Sequence, residues 1–188
     1  MSKKYELVED DFVIRKGKKL YRIKALKNFD TARNAQVLKD SLGGYVEGYH
    51  NLSQEGGCWI YKNAKVYDNA IVKGDAAVGV MSEIYGNASV EGDAMVGSDV
   101  RIYGNAVVKG YSDIANGSEI YGNAVIKDFA AVIGECWIYG NVSIKDHALV
   151  KRPAKIYDNA VVKDYAEILG HSELYVFGNT VVSTNDLL

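Results

Sequence analysis

Proline is almost missing from this chain of 188 residues: Pro153 is the only one. Cysteine is nearly as scarce, with two, and histidine follows with three. Each shortage excludes something. Two cysteines cannot staple a small disulfide-rich domain, and three histidines leave little for a histidine-rich zinc site. No apolar run approaches the roughly 18 residues a membrane-spanning helix needs, and Met1-Ser2-Lys3-Lys4-Tyr5 does not lead into a signal-peptide apolar core. The expectation is a cytoplasmic protein without a membrane partner. A formal charge of −2, with 24% charged and 48% hydrophobic residues, matches neither a disordered chain nor a strongly basic nucleic-acid binder. In contrast, 19 glycines and 14 tyrosines are many for one domain, and they suggest numerous similar short strands and turns.

The excess is periodic. Ile84, Ile102, Ile120, Ile138 and Ile156 each open an I-Y-G-N or I-Y-D-N segment, and consecutive ones lie 18 residues apart. A finer period sits inside the first. Stepping by six from Ile60 to Ile168 gives 19 positions, all Ile or Val, and the residue four places after each is small: Ala, Ser, Cys or Val. Neither a helix nor a long strand has a period of six. A two- or three-residue strand plus a corner does, because residues two apart share a face, so the small and the aliphatic residue both point inward. Three hexads then close a triangular coil, and coils stack at about 4.8 Å with every strand paired above and below. The corners call for unusual backbone angles, which Gly, Asn and Asp supply at Gly86-Asn87, Gly104-Asn105, Gly122-Asn123, Gly140-Asn141 and Asp158-Asn159. Proline lacks the N–H that such ladders require, and Pro153 falls at a corner.

Residues 1–42 carry no hexads. Phe12-Val13-Ile14-Arg15 and Leu20-Tyr21-Arg22-Ile23 flank Lys16-Gly17-Lys18-Lys19 as a β-hairpin would, and Thr31–Leu38 reads as a short helix or an irregular cover. Since a solenoid leaves unpaired edges at its ends, the N-terminal segment is the natural cap. The division is 1–57 for cap and junction, 58–183 for the coils and 184–188 for a tail. Near the end, two inserted residues bring Val176-Phe177-Gly178-Asn179-Thr180 into the repeat.

The aliphatic-x-x-x-small-x pattern over residues 60–173 resembles the hexapeptide-repeat family. That likeness implies an all-β fold, a left-handed parallel β-helix, triangular, with 18 residues per coil and a small N-terminal hairpin cap. The blocks Gly43-Gly44-Tyr45-Val46, Asn51-Leu52-Ser53-Gln54 and Cys58-Trp59-Ile60-Tyr61 resemble the opening of the YdcK-like β-solenoid family of bacterial and bacteriophage proteins. This second likeness implies a fold and a phage-related setting, and carries no catalytic motif.

Chemistry was sought in the same residues. Hexapeptide acyltransferases use a histidine base beside an intersubunit cleft; here His147 and His171 stand at corners, 24 residues apart, without an insertion loop between 60 and 173. They are weak catalytic candidates, and with His50 in the junction no metal site is expected, nor any cofactor. Cys58 and Cys136 take inward small positions on the order of 20 Å apart, so they read as packing residues. More distinctive is an outward column of Tyr67, Tyr85, Tyr103, Tyr121, Tyr139 and Tyr157 flanked by a second with Val107, Val125 and Val161. Ring-on-ring stacking explains the tyrosines; together with the valines they form a partly apolar strip suited to contact. The nearby column Lys73, Glu91, Lys109, Lys127, Lys145, Lys163 gives nucleic acid little weight against acidic columns elsewhere and the net charge of −2, and the absence of Thr from 60–173 argues against an ice-binding face. The expected function is a non-enzymatic scaffold for protein–protein interaction, a homo-oligomer (dimer or trimer), in one version a phage-related protein that inhibits a host protein. The alternative is a hexapeptide-type transferase with its site between subunits.

Overall fold

A computed structural model describes residues 3–151, 153–169 and 174–184. The chain is an all-β solenoid. Among the described residues the strands form one sheet of ten, two of seven and one of two; the three large sheets are made by stacking the same face of successive coils, and the N-terminal hairpin extends the largest. The period-six aliphatics from Ile60 to Ile168 are all buried, as are the small residues Ala64 through Ala166, so both inward columns fall where the pattern puts them. Register follows from sequence spacing: Ile84 pairs Ile102, Ile102 pairs Ile120 and Ile120 pairs Ile138. The ladders are completed from coil to coil, for example Tyr85 N–H to Ile102 O and Tyr103 N–H to Ile120 O, both 3.0 Å. The two inserted residues fall between Ile168, which still aligns with Val150 eighteen residues back, and Val176, which aligns with Ile156 twenty residues back; Val182 keeps the new offset against Val162.

The prism has three faces and three corners. The first face carries 65–66, 83–84, 101–102 and their successors, the second 71–72, 89–90, 107–108, and the third 59–60, 77–78, 95–96. At the corner between the first and second faces the chain enters the left-handed region at Gly104 and Gly122, both with φ of 72°. A Cβ at Gly104 would stand 2.9 Å from the backbone nitrogen of Gly122, so the glycines serve both the angle and the stacking. Asp68 and Asp158 take the same angle elsewhere in the column, and their carboxylates accept the N–H of Gly86 and Gly178 one coil on, each at 3.1 Å. One place further, Asn69, Asn87, Asn105, Asn123, Asn141, Asn159 and Asn179 join side chain to side chain at 2.9–3.1 Å.

The N-terminal segment is more ordered than its sequence suggests. Strands β1 (Tyr5–Arg15) and β2 (Lys18–Ala25) form the hairpin, with positive φ at Lys16 and Gly17 as the tight two-residue turn demands. The segment 31–38 holds only a single 3-10 turn (Ala32–Asn34) between two-residue strands β3 (Phe29–Asp30) and β4 (Gln36–Val37). Strand β5 (Leu42–Val46) pairs antiparallel with β2 and parallel with Lys65–Val66, which welds the hairpin to the first face. Here the two glycines of G-G-Y-V find their reason: a Cβ at Gly43 would lie 2.6 Å from Ile23 and Trp59 carbons, and one at Gly44 2.5 Å from the carbonyl of Ala64. The cap therefore moves the edge of the first face out to β1. Beneath it Lys4 is fully buried, its ammonium donating to the carbonyls of Cys58 at 3.0 Å and Gly56 at 3.1 Å and to the Cys58 thiol at 3.2 Å. Burial lowers the Lys4 pKa, and the carbonyls replace the water it has lost.

Candidate interaction site

Each corner places one residue per coil in line, so a planar side chain recurring at that position meets its own kind at the inter-strand spacing. The first corner does this with the tyrosines. From Tyr67 to Tyr157 the ring centroids lie 4.8–5.2 Å apart with planes within 7° of parallel, and Phe177 extends the stack. Most of these rings are half-buried, and burial raises the phenol pKa at Tyr85, Tyr103 and Tyr121. Tyr67 needs a correction: it is 0% exposed, packed with Leu20 and Tyr45 under the hairpin, while Lys16 covers the Tyr85 ring at 4.0 Å. The outward strip thus starts one coil later than its sequence column. Val107, Val125 and Val161 stand half-buried on the second face, aligned coil to coil through Val107–Val125 and, by way of Ser143, Val161.

A second ladder stands at the next corner, between the second and third faces, and sequence reading missed it. Tyr111, Phe129, His147 and Tyr165 stack with centroids 5.3, 4.9 and 4.7 Å apart and planes within 9° of parallel. Its signal was a lysine, a turn residue and a ring repeated every 18 residues: Lys109-Gly110-Tyr111, Lys127-Asp128-Phe129, Lys145-Asp146-His147, Lys163-Asp164-Tyr165. The turn residues hold the geometry. Asp128, Asp146 and Asp164 all have positive φ, and the carboxylates of Asp128 and Asp146 accept the N–H of the aspartate one coil on. Lys127 and Lys163 pair with Asp128 and Asp164 at 3.5 and 3.3 Å, which leaves the lysine column close to neutral.

Exposure separates the second ladder from the first between Tyr67 and Tyr157, although Phe177 at the end of the first stack is itself 54% exposed. Tyr111 is 52% exposed, Phe129 54% and Tyr165 64%. The third face beside them is mixed: Met95, Ala115, Ala131, Ile133 and Leu149 are half-buried in its outward columns, which also carry Asp113, Lys151 and Glu167. A shallow hollow of about 230 Å³ opens there, bounded by Arg33, whose guanidinium reaches down from the cap to Asp113 at 2.6 Å. The ring edges of Tyr111, Phe129 and Tyr165 thus form an exposed stripe beside a face that mixes apolar and charged residues.

The other sequence candidates divide clearly. His147 is a rung of the ladder, held by ring faces on both sides, and among the described residues no carboxylate or amide bonds its nitrogens. His171 lies outside the described residues. Cys58 and Cys136 are both buried and not joined in a disulfide; burial pushes the first thiol up and the second to about 11, which disfavours the thiolate at both. Among the described residues no cluster of three or more His, Cys, Asp or Glu is arranged to hold a metal ion, and no helix is long and apolar enough to cross a membrane. Comparison with protein-family models finds no match, and comparison with curated proteins finds none.

Proposed function

We propose that the protein is a non-catalytic binding rod whose working surface is the second corner together with the third face. The observation that carries this reading is the contrast between the ladders. Stacking alone stabilises coils equally well when rings are tucked against the prism, as the half-buried tyrosines of the first corner are. Phe129 and Tyr165 instead leave more than half their surface in water, and aromatic area of this kind is what fully buried interface centres use. The partner class is a protein with an apolar, aromatic-accepting surface; a phage-related accessory that holds a host protein is the version suggested by the family resemblance. The rigid coil spacing fixes the rings before contact, which lowers the ordering cost of association.

The test uses a photo-crosslinking phenylalanine analogue at position 129 and, as control, at the exposed position 105 on the first corner. One discrete adduct from position 129 only, lost when Tyr165→Lys is added, supports the reading. Equal labelling from both positions overturns it. The transferase alternative requires His147 or His171 to act as a base; no observation on the surroundings of the His147 ring favours that role, and His171 lies outside the described residues.

A further inference from the structure

Strand β1 ends the ten-stranded sheet, and its outer edge is treated differently along its length. At the N-terminal half the edge is closed by side chains. Gln54 accepts from Lys4 N at 2.7 Å and donates to Tyr5 O at 3.1 Å, and the Tyr49 hydroxyl accepts from Leu7 N at 3.4 Å. The half nearest the turn has no such cover. Arg15 and Lys18 flank the two-residue turn and exchange backbone bonds across the hairpin; since bonded pairs alternate, Val13 and Leu20 do the same, while Phe12 and Ile14 aim their N–H and C=O groups away from β2. Their side chains are also in water, at 45% and 64% exposure, whereas Val13 packs inward on Leu20 and Tyr45. A bulge at residues 9–11 separates the two halves.

Charge along this edge is laid out symmetrically about Val13. Glu9, Asp10 and Asp11 precede the apolar triplet Phe12-Val13-Ile14, and Arg15 and Lys16 follow it. Glu9 and Asp10 are exposed and have no ion pair among the described residues, whereas Asp11 is held by Arg22 and Arg15 by Glu83, each at 2.9 Å, and Lys16 lies over the Tyr85 ring. Turning the edge by a two-fold axis through Val13 puts Phe12 opposite Ile14 twice, and beyond this paired triplet it brings the acidic bulge of one copy toward the basic turn of the other, Asp10 toward Lys16 twice.

We propose that β1 is a self-association edge, at which residues 12–14 of one copy pair antiparallel with the same residues of a second copy, centred on Val13. The outward N–H and C=O of Phe12 and Ile14 then meet their counterparts, the apolar pairs cover one another, and the sheet continues from one rod into the next. Closed two-fold pairing consumes the edge on both copies, so assembly stops at two. This surface is distinct from the second corner, which stays free for its partner.

Sedimentation equilibrium of the full chain, up to about 500 μM, tests the pairing. The expected result is a monomer–dimer equilibrium. Asp10→Lys and Lys16→Glu each bring like charges toward one another twice per dimer and weaken it about tenfold, while the double variant restores it to near the wild-type value. Ile14→Pro, which removes an outward N–H, abolishes the dimer; Phe129→Lys leaves it unchanged. Melting temperatures near wild type for the two charge variants show that the hairpin is intact. A monomer at every concentration overturns the proposal, and so do single variants that have no effect or a double variant that fails to recover.

Discussion

The register of the prism makes its sharpest prediction at Ile120. This side chain is fully buried on the first face between Ile102 and Ile138, in the middle of the stack. Removing an aliphatic side chain of this kind costs about 2–5 kcal/mol once the cavity is counted. Aspartate at the site adds an ionised carboxylate with no donor in reach, worth several kcal/mol more. The total reaches the whole stability of an ordinary domain, about 5–15 kcal/mol. Ile120→Asp therefore lacks the cooperative β melting transition at pH 7, while Lys127→Ala, which loses a half-exposed pair to Asp128, melts within a few degrees of wild type. The penalty has a sign in pH. Burial raises the folded-state pKa of the introduced carboxyl above its unfolded value near 3.9, so the charge penalty is absent below about pH 4 and grows as pH rises toward the folded-state pKa. Circular dichroism melts of both variants at pH 7 and pH 4 check this. Equal melting temperatures at pH 7, or an Ile120→Asp defect larger at pH 4 than at pH 7, would refute the inward placement.

Gly122→Ala puts a Cβ at φ of 72° and 2.8 Å from the backbone nitrogen of Gly140, so calorimetry should show a loss of about 1–3 kcal/mol. Gly44→Ala strikes the Ala64 carbonyl at 2.5 Å and should loosen the cap before the coils, seen as early amide exchange in β2 and β5. Both thiols are buried with raised pKa values, so the native protein at pH 8 should leave Cys58 and Cys136 unmodified by a thiol reagent, and denaturant should expose two equivalents. Phe129→Lys removes a ring from an exposed stack, so it should cost at most about 1.5 kcal/mol of stability in a denaturant titration while abolishing the crosslink to a partner.

The prism could be read from the chain because its core imposes one chemistry on every coil. The interior is too narrow for anything but one aliphatic and one small residue per face, so Ile60 through Ile168 recur by type and the period is visible. The two-residue insertion was legible for the same reason, since only Val176 and Val182 restore the inward column. The cap was less legible. Its hairpin shows alternation and a turn, yet the docking of β5 depends on Gly43 and Gly44 approaching Ile23, Trp59 and Ala64, contacts set by tertiary shape and carrying no period. Burial of Lys4 had no local signal either: a lysine near the start of a chain reads as solvated until the carbonyls of Gly56 and Cys58 are placed around it.

The second ladder was hidden by what stacking selects. Inward positions select volume, so residue type repeats and a search by identity finds it. A corner ladder selects a flat ring about 4.8 Å from the next, a condition that Tyr111, Phe129, His147 and Tyr165 all meet despite their different polarity. The tyrosine column of the first corner was found because it happens to keep one residue type, although its first member lies under the hairpin. Substitution by type is tolerable at the second corner because water wets the ring edges. Where residue identity varies while planarity and exposure persist, the common property is the row of wet ring edges itself, and only the spacing of the coils reveals it.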